Sequence, residues 1–333
     1  MSDNLKQKLL VELQQHFAAA KIINLNELEN HTVNTLFSFS VNNGDYIVKI
    51  LTRPPTSEHE AHRLKKEADL LKQFRELRNM KGIDSNQLTN VPVPEVVHYE
   101  SDENKIGHQY YIMNKIQGNA LEGIWPRLTS KQREKLVKKF ATIVRGIHSI
   151  TFEMFGEIEQ YDCPRQFYSM KSLLKADVRR CGRLLGINKL LPIKLVTKTQ
   201  TYIEKLLDEA SFCETPRLVH TDLYPANIIV KDENNEIEIL GILDFEWSYA
   251  GDPLFDLISI EHEWMEEDKI RKIFFEEYSQ GDFSDLNQFK TEIQIYHALE
   301  SMKTTALGWV YFHPTKENLT YIENRLEKLI EEE

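Results

Sequence analysis

The stretch "RLVHTDLYPANIIV", Arg217 to Val230, decides how this chain is read. Two apolar segments, Leu218–Val219 and Ile228–Val230, bracket a polar loop that carries His220, Asp222 and Asn227. Apolar runs on both sides mark buried elements, so the loop hangs from a core. A histidine, a carboxylate and a carboxamide in one such turn ask for a chemical explanation.

The next apolar segment, "EILGILDFEW" from Glu238 to Trp247, reads as a strand ending in Asp244. "NIIV" and "LGIL" can pair antiparallel. One register sets Asn227 beside Asp244 and leaves Asp232 to Ile239 as a polar connecting loop. Two oxygen ligands then meet at one sheet end, which suits Mg²⁺, a hard cation whose octahedron phosphates and waters complete. His220, Asp222 and Asn227 also have the H-x-D-x-x-x-x-N spacing of a kinase catalytic loop. Asp222 is then the base that accepts a proton from an attacking hydroxyl, and His220 braces the turn. A transition-metal reading of His220 and Asp222 lacks further His or Cys at ligand spacing.

Upstream, "TLFSFSV" alternates, with Phe37, Phe39 and Val41 on one face. "NNGD" is a hairpin signal, because Asn and Gly tolerate positive φ. The return strand "YIVKIL" carries Lys49 among apolar residues. Pro54 and Pro55 stop it. Ser57 and Glu60 have capping-box spacing, and Ala61, Leu64, Ala68, Leu71 and Phe74 recur on one helix face. Glu67 borders that face, where a carboxylate needs a cationic partner. Glu67 is therefore assigned to Lys49, in preference to Glu60.

Leu5 to Phe17 reads as an amphipathic helix with no apolar leader segment. "VPVPEVVHYE" and "HQYYIMNKIQGNAL" read as strands, and Gly118 marks a crossing point. Helical periodicity or composition then dominates residues 131–150, 189–210, 270–280, 288–309 and 316–333. Strands first and helices afterwards mean an α+β fold.

The bulk numbers exclude some partners. The chain has 333 residues, 41% hydrophobic and 28% charged, enough for two lobes and a large core. Its net charge of −11 offers no basic field to a nucleic acid or an anionic membrane and is compatible with a cationic ligand. No apolar run reaches the roughly 20 residues of a membrane span. The cysteines, Cys163, Cys181 and Cys213, have no metal-ligand spacing and read as reduced thiols of a cytoplasmic protein.

"HTDLYPAN" together with "ILDFEWSYAGDPLFDL" resembles the aminoglycoside phosphotransferase family, which includes choline-kinase-like enzymes and is similar in fold to protein kinases. The matching positions are His220, Asp222, Pro225, Asn227, Asp244, Gly251, Asp252, Pro253 and Asp256. The resemblance implies a bilobal fold: an N-terminal sheet lobe over 1–113, a hinge over 114–118 and a mainly helical lobe over 119–333. It implies that Lys49 contacts the α- and β-phosphates of ATP (GTP is the alternative donor) and that Glu67 pairs with Lys49. The hinge backbone near Asn114 and Ile116 would hold the adenine, and Asn227 and Asp244 would hold Mg²⁺. Asp256 would brace the catalytic loop. The implied reaction moves a γ-phosphoryl group to a hydroxyl of a small, cationic acceptor such as an aminoglycoside. Two other readings are a housekeeping kinase of a choline-, sugar- or homoserine-like alcohol, and a nucleotide-binding scaffold without catalysis.

Two departures stand out. Thr221 replaces the usual glycine after His220, and a β-branched residue there restricts φ. No glycine-rich loop precedes Lys49, so Asn34 and Thr35 in "NHTVNTLFSF" are assigned the backbone contacts to the phosphates. The acidic "EHEWMEED", 261–268, is read as a solvated helix face, with lining of a cationic acceptor pocket as the alternative. Trp247 and Tyr249 are candidates for substrate contact or core packing.

Overall fold

Alternating apolar residues around Lys49 build the first lobe. The computed structural model describes residues 2–18, 20–28, 34–42, 44–53, 58–79, 91–158, 165–233, 236–312 and 314–331. After helix α1 (Ser2–His16), strands β1 (Ile22–Glu27), β2 (Thr35–Val41) and β3 (Gly44–Ile50) form a meander. Helix α2 (Glu58–Asn79), β4 (Val96–Glu100), the short α3 (Glu103–Ile106) and β5 (Tyr110–Asn114) complete the lobe. The strands form an antiparallel sheet in the order β1-β2-β3-β5-β4.

Both sheet faces are covered. Phe37, Phe39, Val48, Ile50, Tyr110 and Ile112 pack with Leu9 and Leu13 of α1. Ile47, Leu51, Tyr111 and Met113 pack with Leu64, Ala68, Leu71 and Phe74 of α2. Each such side chain contributes roughly 1.5–3 kcal/mol by leaving water. Burial on both faces explains why "YIVKIL" is nearly all apolar, and it puts Lys49 on the α2 side. Strand β1 escapes the sequence reading because "IINLNE" alternates weakly and buries only Ile22 and Leu25. Pro54, Pro55, Ser57 and the side chains of Glu60 and Ala61 lie outside the described residues, as does Cys163.

The second lobe begins at β6 (Asn119–Ala120) and α4 (Leu121–Ile124), followed by α5 (Ser130–His148). Thr129 and Gln132 form a reciprocal capping box at the start of α5. Then come β7 (Phe155–Gly156), β8 (Gln166–Phe167), α6 (Met170–Ile187), α7 (Ile193–Glu209) and β9 (Arg217–Val219). Strands β10 (Ile228–Glu233), β11 (Glu236–Ile242) and β12 (Tyr249–Gly251) precede α8 (Leu254–Trp264), α9 (Asp268–Ser279), α10 (Lys290–Phe312) and α11 (Lys316–Glu331). Two small sheets, β11-β10-β6 and β8-β7-β12-β9, carry the polar loops.

Three sequence expectations change. Residues 232–239 are not a connecting loop, because pairing runs on to Glu233 opposite Glu236. Helix α6 has no counterpart in the sequence reading: Asp177 and Gly182 interrupt its apolar face, and Asp177 is buried only because Arg165 and Lys303 (2.7 Å) neutralise it. The β8-β7-β12-β9 sheet is built from strands of two or three residues, too short for any periodic signal.

Gly156 closes that sheet in the left-handed region, φ 112°, and a Cβ there would lie 1.9 Å from the Arg165 carbonyl oxygen. Neither strain nor clash can relax without unpairing β7 from β8. Gly156→Ala is expected to cost about 3 kcal/mol in a denaturant titration. A loss within ~0.5 kcal/mol would show that this close approach is not needed.

Candidate active site

The β10–β11 ladder pairs Ile228 with Ile242, and the Leu243 N–H donates to the Asn227 carbonyl at 2.9 Å. Asn227 and Asp244 therefore leave the sheet at the same end, as the sequence register predicts. Asp222 joins them through Asn227, whose Nδ2 donates to the Asp222 Oδ2 (2.8 Å) and main-chain oxygen (3.0 Å).

The loop that holds Asp222 is fixed from beneath by Asp256. One carboxylate oxygen accepts the His220 N–H and the other the Thr221 N–H, each at 2.7 Å. His148 Nε2 lies 3.0 Å from the same carboxylate and its Nδ1 lies 2.8 Å from the Tyr278 hydroxyl. The His220 ring is buried. Its Nε2 lies 3.0 Å from the Leu243 carbonyl oxygen, and its Nδ1 faces the Asp222 N–H at 3.2 Å. Burial pushes the His220 pKa down, which favours the neutral ring that these contacts require. Thr221 sits at φ 75° and Asp244 at φ 69°. The glycine usual to the resembled family at position 221 would adopt that angle freely; here a threonine is held in it by the Asp256 bond.

Across the cleft, Lys49 Nζ donates to Glu67 Oε2 at 2.7 Å and to Asp244 Oδ1 at 2.8 Å, and lies 3.2 Å from Glu246 Oε2. Glu67 uses its second oxygen to accept the Phe245 N–H at 3.0 Å. Burial alone would push the Lys49 ammonium down, but Asp244, Glu246 and Glu67 outweigh it and hold its pKa well above the ordinary value. Glu67 is pushed up, first by burial and then by the neighbouring carboxylates. Burial and Asp244 also push the Asp222 carboxyl up, to about 6.

Glu246 is the residue that sequence reasoning missed. It is buried, accepts a 2.5 Å hydrogen bond from Asn34 Nδ2 and lies 3.8 Å from Arg63 Nε. Its position two residues after Asp244, in the turn between β11 and β12, was the available signal. One carboxylate oxygen from each of Glu67, Asp244 and Glu246 lies within 4.8 Å of the other two. Among the described residues, Lys49 is the ammonium at their centre. Such an oxygen-rich, negatively charged set fits a hard divalent cation.

Lys49, Glu67, Asn34, Asp222, Asn227 and Asp244 line one cavity of about 280 Å³ between the lobes. Thr35, Asn114 and Ile116, assigned backbone contacts, are not among its lining residues. The Thr35 hydroxyl bonds to that of Thr52 at 2.9 Å. Asn114 and Ile116 line a separate depression beside β10 and β11. The Asn114 side chain is turned away to the Glu95 N–H, and Ile116 packs over Gly241. A second cavity of about 250 Å³ adjoins the first, sharing Glu246 and Trp247 and touching Thr221 and Tyr249. None of the described side chains of residues 261–268 lines it; Glu261 and Asp268 border a different depression with Arg271.

The profile of the phosphotransferase enzyme family matches residues 26–289, most of the chain and all of this site. The chain belongs to the phosphotransferase enzyme family. Its fold is the bilobal kinase-like one. The aminoglycoside phosphotransferase APH(4)-Ia, in a ternary complex with ADP and hygromycin B, superposes with a TM-score of 0.67 over 97% of this chain and 98% of that one, at 15% identity. The gentamicin complex of APH(2")-IIa gives 0.64 over 96% and 95%, at 18% identity. Acyl-CoA dehydrogenase family member 11 of Pongo abelii is 23% identical over 231 residues, and member 10 of Mus musculus is 27% identical over 190. These matches take in 66% and 55% of the chain but only 27% and 16% of those two proteins, so the chain spans a fraction of their length.

The Asp256 brace is open to direct test. Asp256→Ala leaves two backbone N–H groups without their acceptor in a buried position, and is expected to cost roughly 2–5 kcal/mol. Wild-type stability by chemical denaturation would show that the loop is held by other means.

Proposed function

We propose that this chain is an ATP-dependent O-phosphotransferase that moves the γ-phosphoryl group to a hydroxyl of a small molecule. The observation that carries this reading is the convergence of Lys49, Asp222, Asn227 and Asp244 on one inter-lobe cavity. The ADP- and antibiotic-bound relatives of the same fold support a nucleotide donor and a small acceptor.

Each residue has a role that its surroundings permit. Asp222 faces the cavity with a pKa near 6, ionised at neutral pH yet basic enough to accept the proton of a hydroxyl hydrogen-bonded to it. The acceptor oxygen forms a bond to the γ-phosphorus, the bond to the bridging oxygen of ADP breaks, and the hydroxyl proton passes to Asp222. Lys49 neutralises phosphate charge and exchanges part of its contact with Asp244 for phosphate oxygens. Asn227 and Asp244 are the residues that would hold Mg²⁺, with Glu246 close by; when bound, the ion neutralises charge on the transferring phosphoryl group. His220 and Asp256 are positioning residues.

The bulk charge and the aminoglycoside-binding relatives favour a cationic acceptor. The cavity next to Thr221 favours the other class, a metabolite alcohol, because basic side chains outnumber acidic ones among its described lining. A silent scaffold is disfavoured, since every position the resemblance assigns to catalysis carries the expected side chain.

Two substitutions test the assignment. Asp222→Asn is expected to keep nucleotide affinity and to lower kcat by roughly 10²–10⁴; an unchanged kcat would remove Asp222 from the mechanism. Asp244→Ala is expected to abolish the Mg²⁺ dependence of nucleotide binding in calorimetry, because it deletes a charged ligand. Persistence of that dependence would move the metal elsewhere.

A further inference from the structure

The second cavity has an unexpected charge for a protein with a net charge of −11. Arg63 and Lys66 reach it from α2, Arg165 from the edge of β8, Arg180 from α6 and Lys303 from α10. Three carboxylates, Glu157, Asp177 and Glu246, also line it. Asp177 is already matched by both Arg165 and Lys303, and its carboxyl is held down at about 2 by them despite burial. Glu157 lies 3.8 Å from Lys66, and Glu246 is drawn toward Lys49 at 3.2 Å.

The remaining two cations are guanidinium groups: Arg180, and Arg63, which shares Glu246 with Lys49. Arg63 is 3% exposed, stands 5.1 Å over the Trp247 ring, and its Nε has no hydrogen-bond partner among the described residues. Its only carboxylate neighbour among those residues is the shared Glu246, at 3.8 Å. Arg180 is half-buried on the cavity wall, with no ion-pair partner among the described residues. A buried cation without full compensation is costly unless an anion completes it. The remaining wall includes Leu173, Leu184, Leu307 and Phe255, which would take an apolar body.

We infer that the acceptor is an organic anion, an alcohol carrying a carboxylate or phosphate group, bound with its charge between Arg63 and Arg180 and its hydroxyl toward Asp222. This rests on the phosphotransferase reading above and names the substrate class of the same site. The five cations come from four segments that meet only in the folded chain, so the bulk charge gives no hint of them. Low-dielectric walls focus their field into the cavity.

The test uses the full chain with Mg²⁺ and ATP and reads ADP release. The acceptors are an ω-hydroxycarboxylate, its methyl ester, the amino alcohol of the same length, and glycerol phosphate. A kcat/KM for the carboxylate or the phosphate about 10- to 100-fold above the ester and the amino alcohol supports the inference, since a charge-assisted contact is of that size. The two anionic arms identify which group is recognised. Arg180→Gln is expected to erase that preference through acceptor KM, while KM for ATP moves little. Equal rates across the series, or preference for the amino alcohol, overturn the anionic class and leave the kinase reading standing. If no acceptor is turned over, calorimetric titration of the same compounds decides: selective binding of an anionic member supports the inference, and its absence overturns it. Failure of ATP itself to bind would count against the phosphotransferase reading instead.

Discussion

One ammonium group joins the two lobes at the cleft. Lys49 Nζ is held by Glu67 from α2 and by Asp244 from the strand end of the other lobe, with Glu246 at 3.2 Å. Three carboxylates around Lys49, with Arg63 also 3.8 Å from Glu246, leave surplus negative charge at the cleft. Removing the cation would leave those carboxylates uncompensated, typically a loss of about 3–5 kcal/mol for a buried pair. Supplying a second cation relieves the same repulsion. The arrangement is therefore both a structural clamp and an unsatisfied demand for positive charge, which a divalent ion carrying phosphates would meet. Glu67 adds a mechanical link, because its other oxygen accepts the Phe245 N–H. Tilting α2 must disturb both Lys49 and the residue that follows Asp244.

Opposite this clamp the backbone is held in conformations it would not choose. Thr221 and Asp244 both occupy the left-handed region, which costs a non-glycine residue of order 1–3 kcal/mol. The surroundings that hold them are identifiable. Asp256 takes the N–H groups of His220 and Thr221, His148 and Tyr278 fix Asp256, and the His220 ring ties the loop to the Leu243 carbonyl. A chain of buried polar groups thus sets where Asp222 points. The long-range contacts Asp256–His220 and Glu67–Phe245 join segments far apart in sequence, so the site forms only when the whole fold does.

The catalytic loop was legible because its chemistry is local. His220, Asp222 and Asn227 lie within one turn, and the antiparallel register that brings Asp244 to them follows from two apolar runs. Lys49 and Glu67 were legible as charges set against apolar faces. What failed to show depends on partners distant in sequence. Glu246 looks like an ordinary acidic residue until Asn34, Lys49 and Arg63 are placed around it. Helix α6 was hidden because Asp177 breaks its apolar period, and only Lys303, from α10, makes that burial tolerable. The short strands of the second lobe carry no period at all. Thr35, Asn114 and Ile116 were assigned by resemblance for their backbone groups, and their side chains are engaged elsewhere in the folded chain.

The expectation of a cationic acceptor came from the family resemblance, and the net charge, a property of the whole surface, merely agreed with it. Recognition depends on the few groups that a ligand touches after its water is gone. A carboxylate on an exposed helix is screened within about 8–10 Å at ordinary salt and contributes little inside a cleft. Arg63, buried beneath Trp247, is not screened in that way. The chain as a whole is acidic, while a cluster rich in basic side chains lines the cavity beside Thr221. The cavity at Lys49 collects carboxylates, as a metal-bound nucleotide would require, and the neighbouring cavity collects basic side chains, as the proposed anionic acceptor would require. Glu246 and Trp247, which line both cavities, mark the boundary across which a phosphoryl group would pass.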